Sequence, residues 1–146
     1  MQNGTSARRL YAAPMTDGSL ARVVWGEAGE AEVASVEELD VLLDVLHAEA
    51  RSEPFMADVV LPSGESMSLG LGSDSTVLNW VSATGEPPYF GSEGDADATG
   101  VVVFRYSGAW SEFPSASAIS AEDGRWAVRE FLAVGHRPPT VTWIEV

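Results

Sequence analysis

The stretch SVEELDVLLDVLHAEAR, residues 35–51, constrains the fold more than any other. Ser35 and Glu38 form a capping box, a pair that satisfies backbone donors left open at a helix start. Val36, Leu39, Leu42, Leu43, Leu46 and Ala50 recur at helical spacing and commit one face to a core. Glu37, Asp40 and Asp44 line the opposite face, expected to meet water or a partner. So one-sided a helix must lie on an apolar surface, and its neighbours in sequence supply one. LARVVWG (20–26) has strand composition, and GEAGE after it reads as a turn. FMADVVL (55–61) and SMSLGL (66–71), joined by PSGE, carry a hairpin signature.

TVLNWVS (76–82), GVVVFRY (100–106) and TVTWIEV (140–146) are further strand candidates. A second helix is expected from Ser120, with Asp123 three residues on, through AEDGRWAVREFLAV. Gly124 weakens it, Gly135 caps its end and Pro138 forbids continuation. The order β-α-β-β-β-β-α-β predicts an α+β domain: a mostly antiparallel sheet of about six strands with two helices on one face. A length of 146 residues suits one such domain, expected over 19–146 behind a loose tail at 1–18. That N-terminus has two arginines but no apolar stretch of signal-peptide type, and no run approaches a membrane span, so the cytoplasm is the expected compartment.

Between residues 83 and 99 lies ATGEPPYFGSEGDADAT, where Pro87-Pro88 and three glycines predict an irregular loop. A loop so long is usually functional or mobile. Asp95, Asp97, Thr99 and Gly100 follow the order that opens a calcium loop. The pattern then needs a chelating Glu at its twelfth position, which here is Tyr106, and the preceding VVVF is a strand. The metal reading fails. Zinc fares no better, because the chain has no cysteine and only His47 and His136, both expected to be structural or solvated. No nucleophile elbow, phosphate loop or dinucleotide fingerprint is present, so no catalytic residue and no cofactor is assigned.

Charge excludes further classes. Eight basic residues against 22 acidic ones give −14, which repels nucleic acid and anionic membranes and attracts a basic partner. Aromatics indicate where such a partner would hold on. Trp25, Trp80, Trp110 and Trp143 fall on or beside strands and read as core, whereas Trp126 projects toward the polar face of the second helix. Tyr89 and Phe90 sit in the acidic loop with Glu86, Glu93, Asp95 and Asp97, where they either anchor a partner or pin the loop against the sheet.

The second half, GVVVFRYSGAWSEFPSASAISAEDGRWAVREFLAVGHRPPTVTWIEV, resembles the first immunity-protein family of bacterial polymorphic toxin systems. A strand is followed by Gly108 and Trp110, then Phe113-Pro114 and Ile119 before a helix bearing Glu130-Phe131. Gly135, Arg137-Pro138 and Trp143 complete the pattern, and Trp25 with the Ser-capped helix fits the first half, so the likeness spans about 20–146. The resemblance implies an antitoxin that neutralises a cognate toxin, often a zinc-dependent cytosine deaminase acting on nucleic acid. A chain without cysteine is not that deaminase. It also implies that Gly108, Gly135, Trp110 and Trp143 are scaffold. The partner surface is then expected at Glu86, Tyr89, Phe90, Glu93, Asp95 and Asp97, with the stripe Glu37, Asp40 and Asp44 as a second patch and Trp126 as a separate candidate contact. Two other classes stay open here: an acidic binding module with no toxin partner, and a hydrolase using paired carboxylates.

Overall fold

The structure, a computed structural model, describes residues 14–146. The class is α+β as expected, but eleven strands are present among the described residues where about six were expected. Strands β1 (Ala21–Trp25) and β2 (Gly29–Val33) form a hairpin, so the expected turn is shorter and a strand follows it. Glycine, glutamate and alanine give GEAEV little strand propensity. What holds β2 is charge: the buried Arg22 places Nε 2.9 Å from Glu30 Oε2 and Nη2 3.5 Å from Glu32 Oε2. Residues 1–13 of the expected tail lie outside the described residues, while Pro14 O accepts from Arg22 Nη2 at 3.0 Å.

Helix α1 (Val36–Glu49) starts as its capping box dictates, with Glu38 N donating to Ser35 Oγ at 3.0 Å. The Glu38 carboxylate reaches back to Ala34 N at 2.7 Å. Next come β3 (Phe55–Val60), β4 (Ser66–Leu71), β5 (Ser75–Thr76) and β6 (Leu78–Val81). The supposedly irregular loop then contains β7 (Phe90–Ser92), wedged between β6 and β11 (Trp143–Glu145). The main sheet runs β11-β7-β6-β4-β3-β1-β2. Helix α2 (Ala121–Val134) opens on Ser120, whose Oγ accepts from Asp123 N at 3.0 Å, and ends on the left-handed Gly135.

Both helices cover one face. Leu39, Leu43 and Leu46 of α1 and Ala127, Val128, Phe131 and Leu132 of α2 pack on Val23, Ala57, Val59, Met67, Leu69 and Leu78. Each such large side chain contributes about 1.5–3 kcal/mol on burial. Gly124, read from sequence as a weakness, is the contact that brings α2 down: a Cβ there would lie 2.3 Å from Thr76 Cγ2. Gly124→Ala ordinarily gains about 1 kcal/mol in a helix. Here it is expected to destabilise by about 1–3 kcal/mol, measured by urea unfolding, because the clash outweighs the propensity.

The opposite face carries the feature that the sequence did not announce. Strands β8 (Val101–Tyr106) and β9 (Ala109–Pro114) form a hairpin that joins the sheet only through a parallel bridge, Phe55 to Arg105. Its inner side chains, Val102, Phe104, Tyr106 and Phe113, pack around Met56 and Val77 in a second core. Beneath it, Asp58 Oδ1 accepts from Ser68 Oγ at 2.6 Å and from Tyr106 Oη at 2.8 Å. Burial and the neighbouring Asp58 charge push the Tyr106 phenol above its ordinary range.

Candidate functional site

The structure separates the expected partner residues rather than gathering them on one surface. Asp40 and Asp44 are already paired within the fold: Arg129 Nε donates to both oxygens of the partly buried Asp40 at 2.8 and 2.9 Å, and Arg125 Nη1 to Oδ1 of the exposed Asp44 at 2.8 Å. Both carboxylates tie α1 to α2, and the acidic stripe expected of α1 is therefore a seam between helices. Such partly exposed pairs contribute little stability but fix a crossing. Glu37 stays exposed, on the rim of an open apolar groove with Ala31, Val33, Val41, Leu42 and Val45.

Phe90 is no loop tip. Paired with Trp80 across β6 and β7, it lies half-buried with ring centroids 6.1 Å apart. Arg137 covers both rings, its Cζ 3.9 Å from the Phe90 centroid and 4.9 Å from that of Trp80. Such stacking suits a guanidinium better than an ammonium. Tyr89 is exposed, its hydroxyl donating to Gly85 O at 3.1 Å, and Glu86 beside it is exposed too. Asp95 and Asp97 form a surface turn in which Asp97 N donates to Asp95 Oδ1 at 3.0 Å and Ala98 N to Asp95 O at 2.9 Å. Asp95 thus uses its side chain and its carbonyl to close a local turn.

Glu93 and Trp126 do come together. Glu93 N donates to Thr142 O at 2.9 Å, which brings its side chain to a cleft of about 260 Å³ shared with Ile119, Asp123, Trp126 and Val141. Trp126 is 60% exposed there. An open indole face beside two carboxylates offers a cation both ring quadrupole and charge. The sequence placed Trp126 toward the polar face of the second helix; that Glu93 joins it required the β7–β11 pairing.

Trp110 corrects an expectation. Read as core, it is 53% exposed near the end of the β8–β9 hairpin, with Arg105 Cζ 5.2 Å from its ring centroid. Trp143 is half-buried against the helix-side core, its Nε1 donating to Pro138 O at 2.8 Å. His47 is structural, its Nδ1 accepting from Gly72 N at 3.0 Å, and His136 is exposed.

The charge on the surface follows from where the cations go. The sequence has arginine but no lysine. Arg22, Arg105, Arg125 and Arg129 pair with the chain's own carboxylates, and Arg137 lies on two rings. None of the described arginines pairs with Glu86, Glu93, Asp95, Asp97 or Asp123. Glu32 is held differently, its carboxylate accepting from Ser19 Oγ at 2.6 Å and Thr16 N at 3.0 Å. Those bonds, Ser19 foremost, pull its pKa from 4.5 to about 2. With the folded value depressed, the Glu32 contribution is complete above about pH 4.5 and is lost as pH falls toward 2. Glu32→Gln is expected to flatten that part of the acid-unfolding curve, followed by circular dichroism.

Fold and charge together define a small acidic α+β domain whose exposed Trp126 stands beside Glu93 and Asp123, carboxylates that none of the described arginines pairs with. The family model for immunity protein Imm1 matches residues 27–145, from the first hairpin through both helices to the last strand. The chain belongs to that family and is an immunity protein. Among curated proteins, none matches it.

Proposed function

We propose that this chain neutralises a cognate toxin of the nucleic-acid deaminase type by binding it and covering its basic active-site cleft, with no catalysis of its own. The observation that carries the reading is the net charge of −14 on a member of an immunity family, with exposed carboxylates that none of the described arginines pairs with. An enzyme that works on DNA or RNA needs a cationic groove for phosphates. Glu86, Glu93, Asp95 and Asp97 offer that groove the charge it is built to receive, and exposed Tyr89 and Trp126 offer aromatic contact. Phe90 and the pair Asp40 and Asp44 drop out of the contact set, because the fold already uses them. No helix among the described residues is long and apolar enough to cross a membrane, and the protein is proposed to act in the cytoplasm, where the toxin's substrate lies.

The test is protection. The C-terminal domain encoded by the adjacent gene is expressed in cells with and without this chain, and cytosine-to-uracil conversion is scored by sequencing. Co-expression is expected to restore growth and abolish conversion. Equal killing with and without the chain would end the reading, and killing without base conversion would replace the deaminase with another toxin chemistry.

A further inference from the structure

The β8–β9 hairpin has two unlike faces. The inner one fills the second core, and a solvated outer face of an antiparallel hairpin is normally polar. Here the register places Val101 opposite Pro114, Val103 opposite Glu112 and Arg105 opposite Trp110, all on the outer side. Val101 is 52% exposed, Val103 39% and Trp110 53%, so valine, proline and indole form one apolar strip along the strands. The one cation on it is already engaged. Arg105 stacks on Trp110, sets Nη1 3.4 Å from Glu53 Oε2 and donates Nη2 to Gly108 O at 3.3 Å. That clamp holds an exposed indole in place before anything binds, which lowers the ordering cost of contact.

Carboxylates accompany the strip. Glu112 stands within it between Pro114 and Trp110, Glu53 pairs with Arg105 beside the indole, and Glu27 lies against Gly108 at its tip. Asp95 and Asp97 stand in the turn that leads into β8. An apolar centre with an indole anchor and an anionic rim is the anatomy of an affinity-bearing contact. The charge selects the occupant: a second copy of this chain would set glutamate against glutamate, whereas a basic domain would set opposite charges together. We infer that the outer face of the β8–β9 hairpin is the surface on which the cognate toxin docks, with Trp110 as its anchor. This rests on the immunity reading and moves the anchor from the 83–99 loop to the hairpin.

The test measures binding of the adjacent gene's C-terminal domain to wild type, Trp110→Ala, Val103→Asp and Tyr89→Ala, with each variant's folding checked by circular dichroism. Trp110→Ala is expected to weaken binding by about 30-fold, Val103→Asp by about 100-fold and Tyr89→Ala by less than about threefold. Hydroxyl-radical oxidation of Trp110 in the wild-type protein needs no substitution and is expected to fall at least about fivefold on complex formation. Binding by wild type with both hairpin variants within threefold, or undiminished Trp110 oxidation, overturns the docking surface and leaves the immunity reading standing. A wild-type dimer that Val103→Asp converts to monomer assigns the face to self-association and overturns the proposal too. Failure of wild-type binding together with failure of protection removes the function first, and the docking surface with it.

Discussion

Phe104→Ala is expected to cost about 3–5 kcal/mol of unfolding free energy, a fall in Tm of roughly 10–20 °C for a chain of this size. Phe104 is fully buried between the sheet and the β8–β9 hairpin, edge-on to Phe113 with ring centroids 6.3 Å apart. Its ring fills the space above Gly70, where a Cβ would lie 2.4 Å from two ring atoms. The sheet has been hollowed to receive it, so truncation leaves a void that neighbouring backbone is poorly able to close. Because the hairpin meets β3 through a single bridge, side chains rather than a ladder hold it down. The loss should therefore be local at first: helix signal persists while the hairpin loosens. Tyr106 reports on this independently, since its phenol is held up by burial and by Asp58. In Phe104→Ala the tyrosine absorbance titration is expected to move toward the ordinary phenol range. A change below about 1 kcal/mol with an unmoved titration would mean that the hairpin is held by something other than this core.

The helix-and-sheet half of the molecule was legible because periodicity and capping are local. The Ser35 and Ser120 caps, the leucine stripe of α1, the β3–β4 hairpin and the Gly135 stop all depend on residues within a few positions of one another. Two of the missed strands show the limit. GEAEV and FGS lack strand propensity and are held by what flanks them: Arg22 across β1, and the β6 and β11 ladders on either side of β7. Neither cause is visible in a window of a few residues.

Where individual candidate residues lie in the fold depends on contacts that sequence periodicity does not show. Polar periodicity shows that Asp40 and Asp44 leave the core, but not what stands opposite. One signal was available: two acids four apart in one helix and two arginines, Arg125 and Arg129, four apart in the other match as two rungs of a seam. Trp110 was misplaced because VVVFRY reads as a continuous apolar strand, which the sequence cannot distinguish from a strand with one bare face. The exposure of that face is a property of the fold-over, and it turned a scaffold residue into the proposed anchor.

If charge supplies encounter and the hairpin supplies grip, the two can be separated kinetically. Glu86, Glu93 and Asp97 use only backbone groups in the hydrogen bonds they make, so exchanging their side chains for lysine should leave the fold intact. Each exchange raises the formal charge by two, and the three together move it from −14 to −8. Association of this triple variant with the toxin domain is expected to slow by about 10–100-fold at low salt, while dissociation changes by less than about threefold. Wild-type association should itself fall about tenfold as salt rises past the point where screening reaches a few ångströms, and the variant should show little of that dependence. Trp110→Ala should do the reverse, quickening dissociation and sparing association. A triple variant whose loss lies wholly in dissociation would make these acids direct contacts of the bound complex, and one with unchanged rates would reduce the −14 charge to a solubility device.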